Sequence, residues 1–197
     1  MAPYFETVKS FVDVPITDAG VETVSFLEAS DGLLKMFDLF GSGVFGFVQA
    51  DIRGNIQGVR SRFESSKEHS DTLEHLVEQE AKENQRNAIG CLIRLVRGHA
   101  FICKALQNAQ SSTTSELHIC FKQAYDVVLR HHHGFVVRNV VSVAIRAVPR
   151  RTDFYNRIAQ GGSREKLDVE MNKWLEALEV IVKRMSSFLE GGGYGKV

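Results

Sequence analysis

The 197 residues suffice for one sizeable domain, and no low-complexity tract, internal repeat or charge block marks a second, so the expectation is a single domain over 1–197. Its 24 Lys and Arg balance 24 Asp and Glu, which leaves no global basic field of the kind that drives non-specific nucleic-acid binding. Apolar runs such as FVV and VVSVAI are broken by Arg138, Asn139 and Arg146, far short of the roughly 20 apolar residues of a membrane span; the start MAPYFETVKSF lacks the basic and apolar regions of a secretory signal. Cys91, Cys103 and Cys120 are odd in number, isolated and set in apolar helical pattern, which reads as buried thiols in a reducing compartment and places the chain in the cytosol.

Nearly every segment carries the helical period. A first helix is expected from Pro3 to Phe11, before DVP, and a second from Thr23 to Leu39, where Val24, Leu27, Leu34 and Phe37 recur and Gly41 and Gly43 follow. A third runs from Val44 to Phe63, with Val48, Ile52, Ile56, Val59 and Phe63 forming one apolar stripe. Asp51 and Asn55 border that stripe one residue before Ile52 and Ile56, where a carboxylate and a carboxamide one turn apart would be half-buried. Ser70 reads as the N-cap of a helix carrying Leu73, Leu76 and Val77 inward, and Ser115 as the cap after the SSTTS loop. Between them, Ala88 to Leu106 mark a helix from Asn87 to Ala109. Leu117 to Val128 carry the next helix up to HHHG, and Phe135 to Val148 another until Pro149. The β-branched VVSVAI is assigned to that helix, because a lone strand would have nothing to pair with. A short helix from Thr152 to Ala159 and a long one from Arg164 to Leu189 complete the series before the tail EGGGYGKV.

Several motifs invite chemistry that the surrounding pattern does not support. GSGVFG fits G-x-G-x-x-G, but no strand precedes it; two helix-ending glycines and a close-packing Gly46 are the better reading. GGGYG is followed by no helix that would bind a phosphate. Consecutive helical residues point about 100° apart, so His131, His132 and His133 do not converge on one metal ion; one buried and two solvated histidines are expected, with Gly134 as a break or tight contact. No nucleophile and base arrangement is legible, so neither enzyme activity nor a cofactor or metal is expected. Arg94 and Arg97 lie three apart on an apolar helix, and Arg94 falls beside its buried stripe, where a planar five-donor cation suits an anion or several hydroxyl oxygens.

The runs FDLFGSGVFGFVQADIRGNI, LIRLVRGHAF and HHHGFVVRNVVSVAIRAVPRRTDFY, with the terminal YGKV, resemble the glycolipid transfer protein family over nearly the whole chain, from about Tyr4 to Val197. FVDVP and the run through Arg60 are closest to its fungal heterokaryon-incompatibility-type members. The resemblance implies an all-α, two-layer helical sandwich of about eight helices that carries one sphingolipid per chain between membranes without covalent chemistry. It implies a headgroup and ceramide-amide site at Asp51, Asn55, Arg94, His133 and Tyr194. It also implies an apolar sleeve from Phe37, Phe45, Val48, Phe101, Leu106, Phe121, Val128 and Val140, which read equally as ordinary core. A buried lipid amide loses about 1–3 kcal/mol for each hydrogen bond left unmade, so polar partners are needed at the mouth of such a sleeve.

The chain departs from glycolipid-specific members at two positions: Arg94 stands where they carry a sugar-stacking Trp, and Gly58 where they carry a Lys. Members resembling ceramide-1-phosphate carriers have an Arg at the Arg94 position, but also a second Arg where this chain has Gly90 and a Lys where it has Asn55. The site is thus a hybrid, with a ceramide-based glycolipid, a phosphate-bearing sphingolipid, or a helical interaction protein that has lost transfer as the alternatives. The family's fold would also bring Asp51 beside Arg94, where it either neutralises the guanidinium or leaves it partly free for an anionic headgroup, with Arg60 and Arg97 adding positive potential nearby. Transient membrane contact is expected at Phe135, Val136 and Arg138, though Phe135 reads equally as core, and Trp174 reads as core.

Overall fold

The computed structural model describes residues 1–41 and 43–197, so Ser42 of the GSGVFG motif lies outside the described residues. Among them, regular structure consists of eight α-helices and six short 3-10 turns, and the β pairing is limited to two isolated bridges, Ile16 with Val21 and Glu22 with Thr72. The helices are α1 (Thr23–Met36), α2 (Gly46–Ser65), α3 (Leu73–Lys82), α4 (Asn87–Ser111), α5 (Leu117–Val128), α6 (Phe135–Arg146), α7 (Arg151–Ala159) and α8 (Arg164–Gly191). Two helical layers share one core, and VVSVAI lies within α6, as expected of a run with no strand to pair with. Among the described residues, no helix is long and apolar enough to cross a membrane.

α4 is the centre of the fold and packs against α2, α5 and α8. Its buried positions run from Ala88 and Ile89 through Leu92, Leu95, Val96 and His99 to Leu106 and Ala109, wrapping more than one face, as a helix with neighbours on several sides requires. The start of α4 is sealed by a carboxylate from α3: Glu80 accepts from the backbone N–H of Ala88 at 2.9 Å and of Ile89 at 2.7 Å. A buried anion there satisfies two orphan donors and meets the positive end of the helix dipole.

The expected helix from Pro3 to Phe11 is instead two 3-10 turns, Tyr4–Glu6 and Phe11–Asp13. The Thr7 hydroxyl turns back to donate to the Tyr4 carbonyl, and Ser10 accepts from the N–H of Val12, so local side-chain bonds displace the helical ladder. Tertiary packing demands the same: Phe5 and Phe11 both reach Trp174 with ring centroids 5.1 Å away, whereas a helix would set them about 120° apart. Trp174 is buried in the core, as expected.

The long helix expected from Thr23 tightens after Met36 into a 3-10 turn, Phe37–Phe40, which ends on Gly41 at φ +72°, a conformation glycine adopts without a Cβ penalty. A Cβ at Gly46 would meet nothing within 4 Å, which removes its expected close-packing role, and Gly134 is the N-cap of α6, a break without a tight contact. Thr72, not Ser70, caps α3 by accepting from the N–H of His75 at 3.2 Å; the N-cap of α5 is Glu116, while the Ser115 hydroxyl bonds with Ser112. Cys103 and Cys120 are buried, but Cys91 is only half-buried.

Candidate functional site

The polar pair of α2 meets the basic face of α4. The Asn55 amide donates to the Asp51 carboxylate at 3.2 Å, and Arg94 Nε donates to the Asn55 carbonyl at 2.9 Å. The Arg94 guanidinium also lies 3.6 Å from the Cys91 sulfur. Gly58 permits this meeting of helices, because a Cβ there would run into that sulfur. Asn55 is one turn from this close approach and is buried, at 5% exposure; Asp51 is two turns away and exposed. Neither residue is half-buried, as both were expected to be: the helix contact covers Asn55 and leaves Asp51 in solvent.

The direct pair of Asp51 with Arg94 is not formed, since Asn55 stands between the two. The neighbouring cations are engaged elsewhere: Arg60 pairs with Asp31 at 2.7 Å, and Arg97 donates to the Lys196 carbonyl at 2.5 Å. Burial, reinforced by the nearby Arg94 charge, lowers the pKa of Arg97. Arg94 thus has no carboxylate of its own among the described residues, while its plane is held by a neutral amide.

His133 sits half-buried between α5 and α6, with its Nδ1 3.2 Å from the Tyr125 hydroxyl. Burial lowers its pKa, with Arg97 and Arg138 acting in the same direction and Asp51 opposing them, so Asp51 and His133 share one electrostatic neighbourhood. His131 is exposed and His132 half-buried, its Nε2 enclosed without a partner, so no single fully buried histidine emerges from the three. Tyr194 is not drawn into this cluster. Its ring packs on Phe188 and its carbonyl accepts from Arg86; the tail approaches the site instead through the contact of Lys196 with Arg97.

Beneath the cluster lies an aromatic interior. Phe37, Phe45, Leu106 and Phe121 are buried, and Val48, Phe101 and Val128 are half-buried. Val140 is the exception: it is exposed on α6, on the same helical face as Val136 and Val143, while another face packs on α5. Phe40, which the periodicity did not single out, is the hub, with ring centroids 5.1–5.9 Å from Phe37, Phe45, Phe121 and Phe154. Its position just before Gly41 hid it at a helix end. Tyr125 falls in the helical run from Leu117 to Val128, but nothing local announces its partner His133. Phe135 is 79% exposed and Val136 72%, which decides against a core role for Phe135.

A polar cluster opening beside an aromatic interior within a helical sandwich suits an amphiphile, with one end to hydrogen-bond and the other to bury. Residues 21–160 match the family described as Glycolipid transfer protein (GLTP), and the chain belongs to that family. It is 35% identical over 187 residues to a glycolipid transfer protein of Aureobasidium melanogenum, covering 94% of this chain and 92% of that one. Among solved structures it is similar to HET-C2, a fungal glycolipid transfer protein, with 39% identity, coverage of 95% and 96%, and a TM-score of 0.90. FAPP2, described as selecting simple glycosphingolipids with the same fold, matches at 28% identity, 98% of each chain and a TM-score of 0.90. Human ceramide-1-phosphate transfer protein shares the fold, with 17% identity, coverage of 96% of each chain and a TM-score of 0.85.

Proposed function

We propose that the protein binds one ceramide-based sphingolipid per chain in the cytosol and moves it between membranes by transient contact, with no covalent step and no cofactor. The observation that carries this reading is the relay from Asp51 through the buried Asn55 to Arg94, seated where the apolar interior meets solvent. Family membership and the activities ascribed to the relatives support it.

In this reading Asp51, Asn55, Arg94 and His133 grip the headgroup and the ceramide amide, while Tyr194 stays packed on Phe188 and takes no part in the grip. If Tyr125 donates to His133 Nδ1, the neutral ring keeps its proton on Nε2 and offers an N–H to a lipid oxygen. Phe37, Phe45, Val48, Phe101, Leu106, Phe121 and Val128 form the sleeve, which the chains enter by parting rings now packed on one another. Phe135, Val136 and Arg138 touch the membrane.

A second reading concerns the headgroup. Because Arg94 is held by a neutral amide, its charge is available to an anionic group, and a phosphate gains a charge-assisted bond there that a sugar lacks. The site therefore takes a phosphate-bearing sphingolipid more readily than one with Trp at this position.

The test is extraction and transfer of glucosylceramide and ceramide-1-phosphate between vesicles. Asp51→Val and His133→Leu should each abolish transfer while leaving the helical signal and unfolding midpoint near wild type, because each removes hydrogen bonds from a site that the core does not need. Wild-type transfer by both variants overturns the assignment. A wild-type chain that moves neither lipid supports the rival, a helical protein that kept the fold with its interior filled by its own rings.

A further inference from the structure

A groove of about 630 Å³ runs between α5 and α6, apart from the Asp51 cluster. Four cations line it, Lys122 and Arg130 on one side and Arg138 and Arg146 on the other, against the single carboxylate of Asp126. Lys122 at 2.5 Å and Arg130 at 3.1 Å share that carboxylate. Arg138 Nε donates to the Arg130 carbonyl at 3.1 Å, which fixes the guanidinium in the groove and leaves its terminal nitrogens open. Arg146 has no ion pair or hydrogen bond among the described residues, and the Asn139 and Ser142 side chains add polar groups beside it. In a chain of zero formal net charge, this is a local segregation of positive charge around a concave site.

Guanidinium groups with free terminal nitrogens, an ammonium and uncharged polar groups in one cleft suit a phosphate. The groove's position indicates where that phosphate comes from. Phe135 forms part of the lining and is 79% exposed, and Val136 beside it is 72% exposed, so the cationic cleft opens alongside an apolar tip. A soluble anion has no use for that tip, whereas a lipid surface supplies acyl chains to the tip and headgroup phosphates to the cleft. Tyr125 lies on the groove floor with its hydroxyl at His133, which sets the groove and the Asp51 end back to back.

We propose that the groove between α5 and α6 seats the phosphate of an anionic membrane phospholipid, a second lipid contact distinct from the carried sphingolipid, selecting the membrane on which the protein docks. The inference rests on docking through Phe135, and the experiment separates the two. Cargo-free protein is floated with vesicles of phosphatidylcholine alone, whose phosphate is compensated by its own choline cation, and of phosphatidylcholine containing phosphatidylglycerol, whose phosphate is the lipid's only charge. Each cation near an anionic surface is worth about fivefold in binding, so Lys122→Ala with Arg146→Ala should weaken binding to the anionic vesicles by about 30-fold and leave binding to phosphatidylcholine unchanged. The control, Lys82→Ala with Lys104→Ala, removes the same charge from exposed positions outside the groove and should have a much smaller effect. Equal losses in groove and control variants, or wild-type binding by the groove variant, overturn the proposal. Phe135→Asp should weaken binding to both kinds of vesicle; if it does not, docking through Phe135 is wrong, while a selective loss in the groove variant still supports the phosphate site.

Discussion

At Arg94 a cation stands on a neutral support. The Asn55 carbonyl takes its Nε, the Cys91 sulfur lies against the guanidinium, and no acid among the described residues competes for the charge. A charge-assisted bond to a headgroup phosphate contributes about 1.5–3 kcal/mol, which corresponds to roughly tenfold or more in binding. Arg94→Trp removes that bond and provides an apolar plate for a sugar ring. Transfer measured side by side should therefore shift by roughly tenfold toward glucosylceramide and away from ceramide-1-phosphate. An unchanged ratio would make Arg94 a surface arginine with no part in headgroup choice. The sequence placed Arg94 beside a buried stripe, since that follows from spacing along one helix. Its partner Asn55 lies 39 positions earlier, and no local pattern names a contact across that separation.

Among the elements, α4 contributes most to the fold, and its start depends on a neighbour. No side chain of its own N-cap, Arg86, makes a capping bond, and the two Glu80 oxygens from α3 do that work instead. Glu80→Ala leaves two buried N–H groups unmet at the positive end of the helix, a loss of roughly 2–4 kcal/mol in unfolding free energy. Glu80→Gln keeps one acceptor and should lose about half as much. Denaturant unfolding of the two variants measures this, and equal stability of Glu80→Ala and wild type would show that water reaches those donors. Glu80 stands near the end of α3 in the sequence, but its role at the start of the next helix depends on the turn between them. α6 illustrates the same division: its β-branched run was assigned to helix because a lone strand would have no partner, yet only the packing of α6 on α5 decides that Val140 and Val143 face solvent.

At the scale of the whole molecule, one buried histidine ties the layers together and ties stability to pH. His99 of α4 lies between the rings of Phe11 and Phe26; its Nδ1 donates to the Leu95 carbonyl at 2.7 Å and its Nε2 lies 3.0 Å from the Ser30 hydroxyl of α1. Burial lowers its pKa to about 4, against the backbone bond to Leu95, which raises it. Above the ordinary histidine pKa of about 6.5 the ring is neutral in both folded and unfolded chains, and its contribution is complete. As pH falls from there toward 4, the unfolded chain takes up a proton that the folded core refuses, and stability drops by up to about 3 kcal/mol. Burial shifts His132 and His133 in the same direction, which steepens the slope. Urea midpoints should fall between pH 7.5 and pH 4.5, and His99→Gln should be less stable at pH 7.5 but flatter with pH. An equally steep slope in that variant would assign the dependence to other groups.

The sequence by itself determined the helices, the apolar stripes on α2, α4 and α5, the polar pair bordering one of them, and the likeness to a family. All of these reside in local spacing and residue type, which a chain carries whether folded or not. The tertiary structure decided that the first segment breaks into two turns over Trp174, that Asn55 is buried while Asp51 is exposed, and that Arg94 rests on Asn55 with Asp51 beyond it. It also gathered four scattered cations of a neutral chain around one groove. Each of these depends on how closely two helices approach, at Gly58 against Cys91 or along α5 and α6, and that distance is set by side chains far apart in sequence meeting in one core.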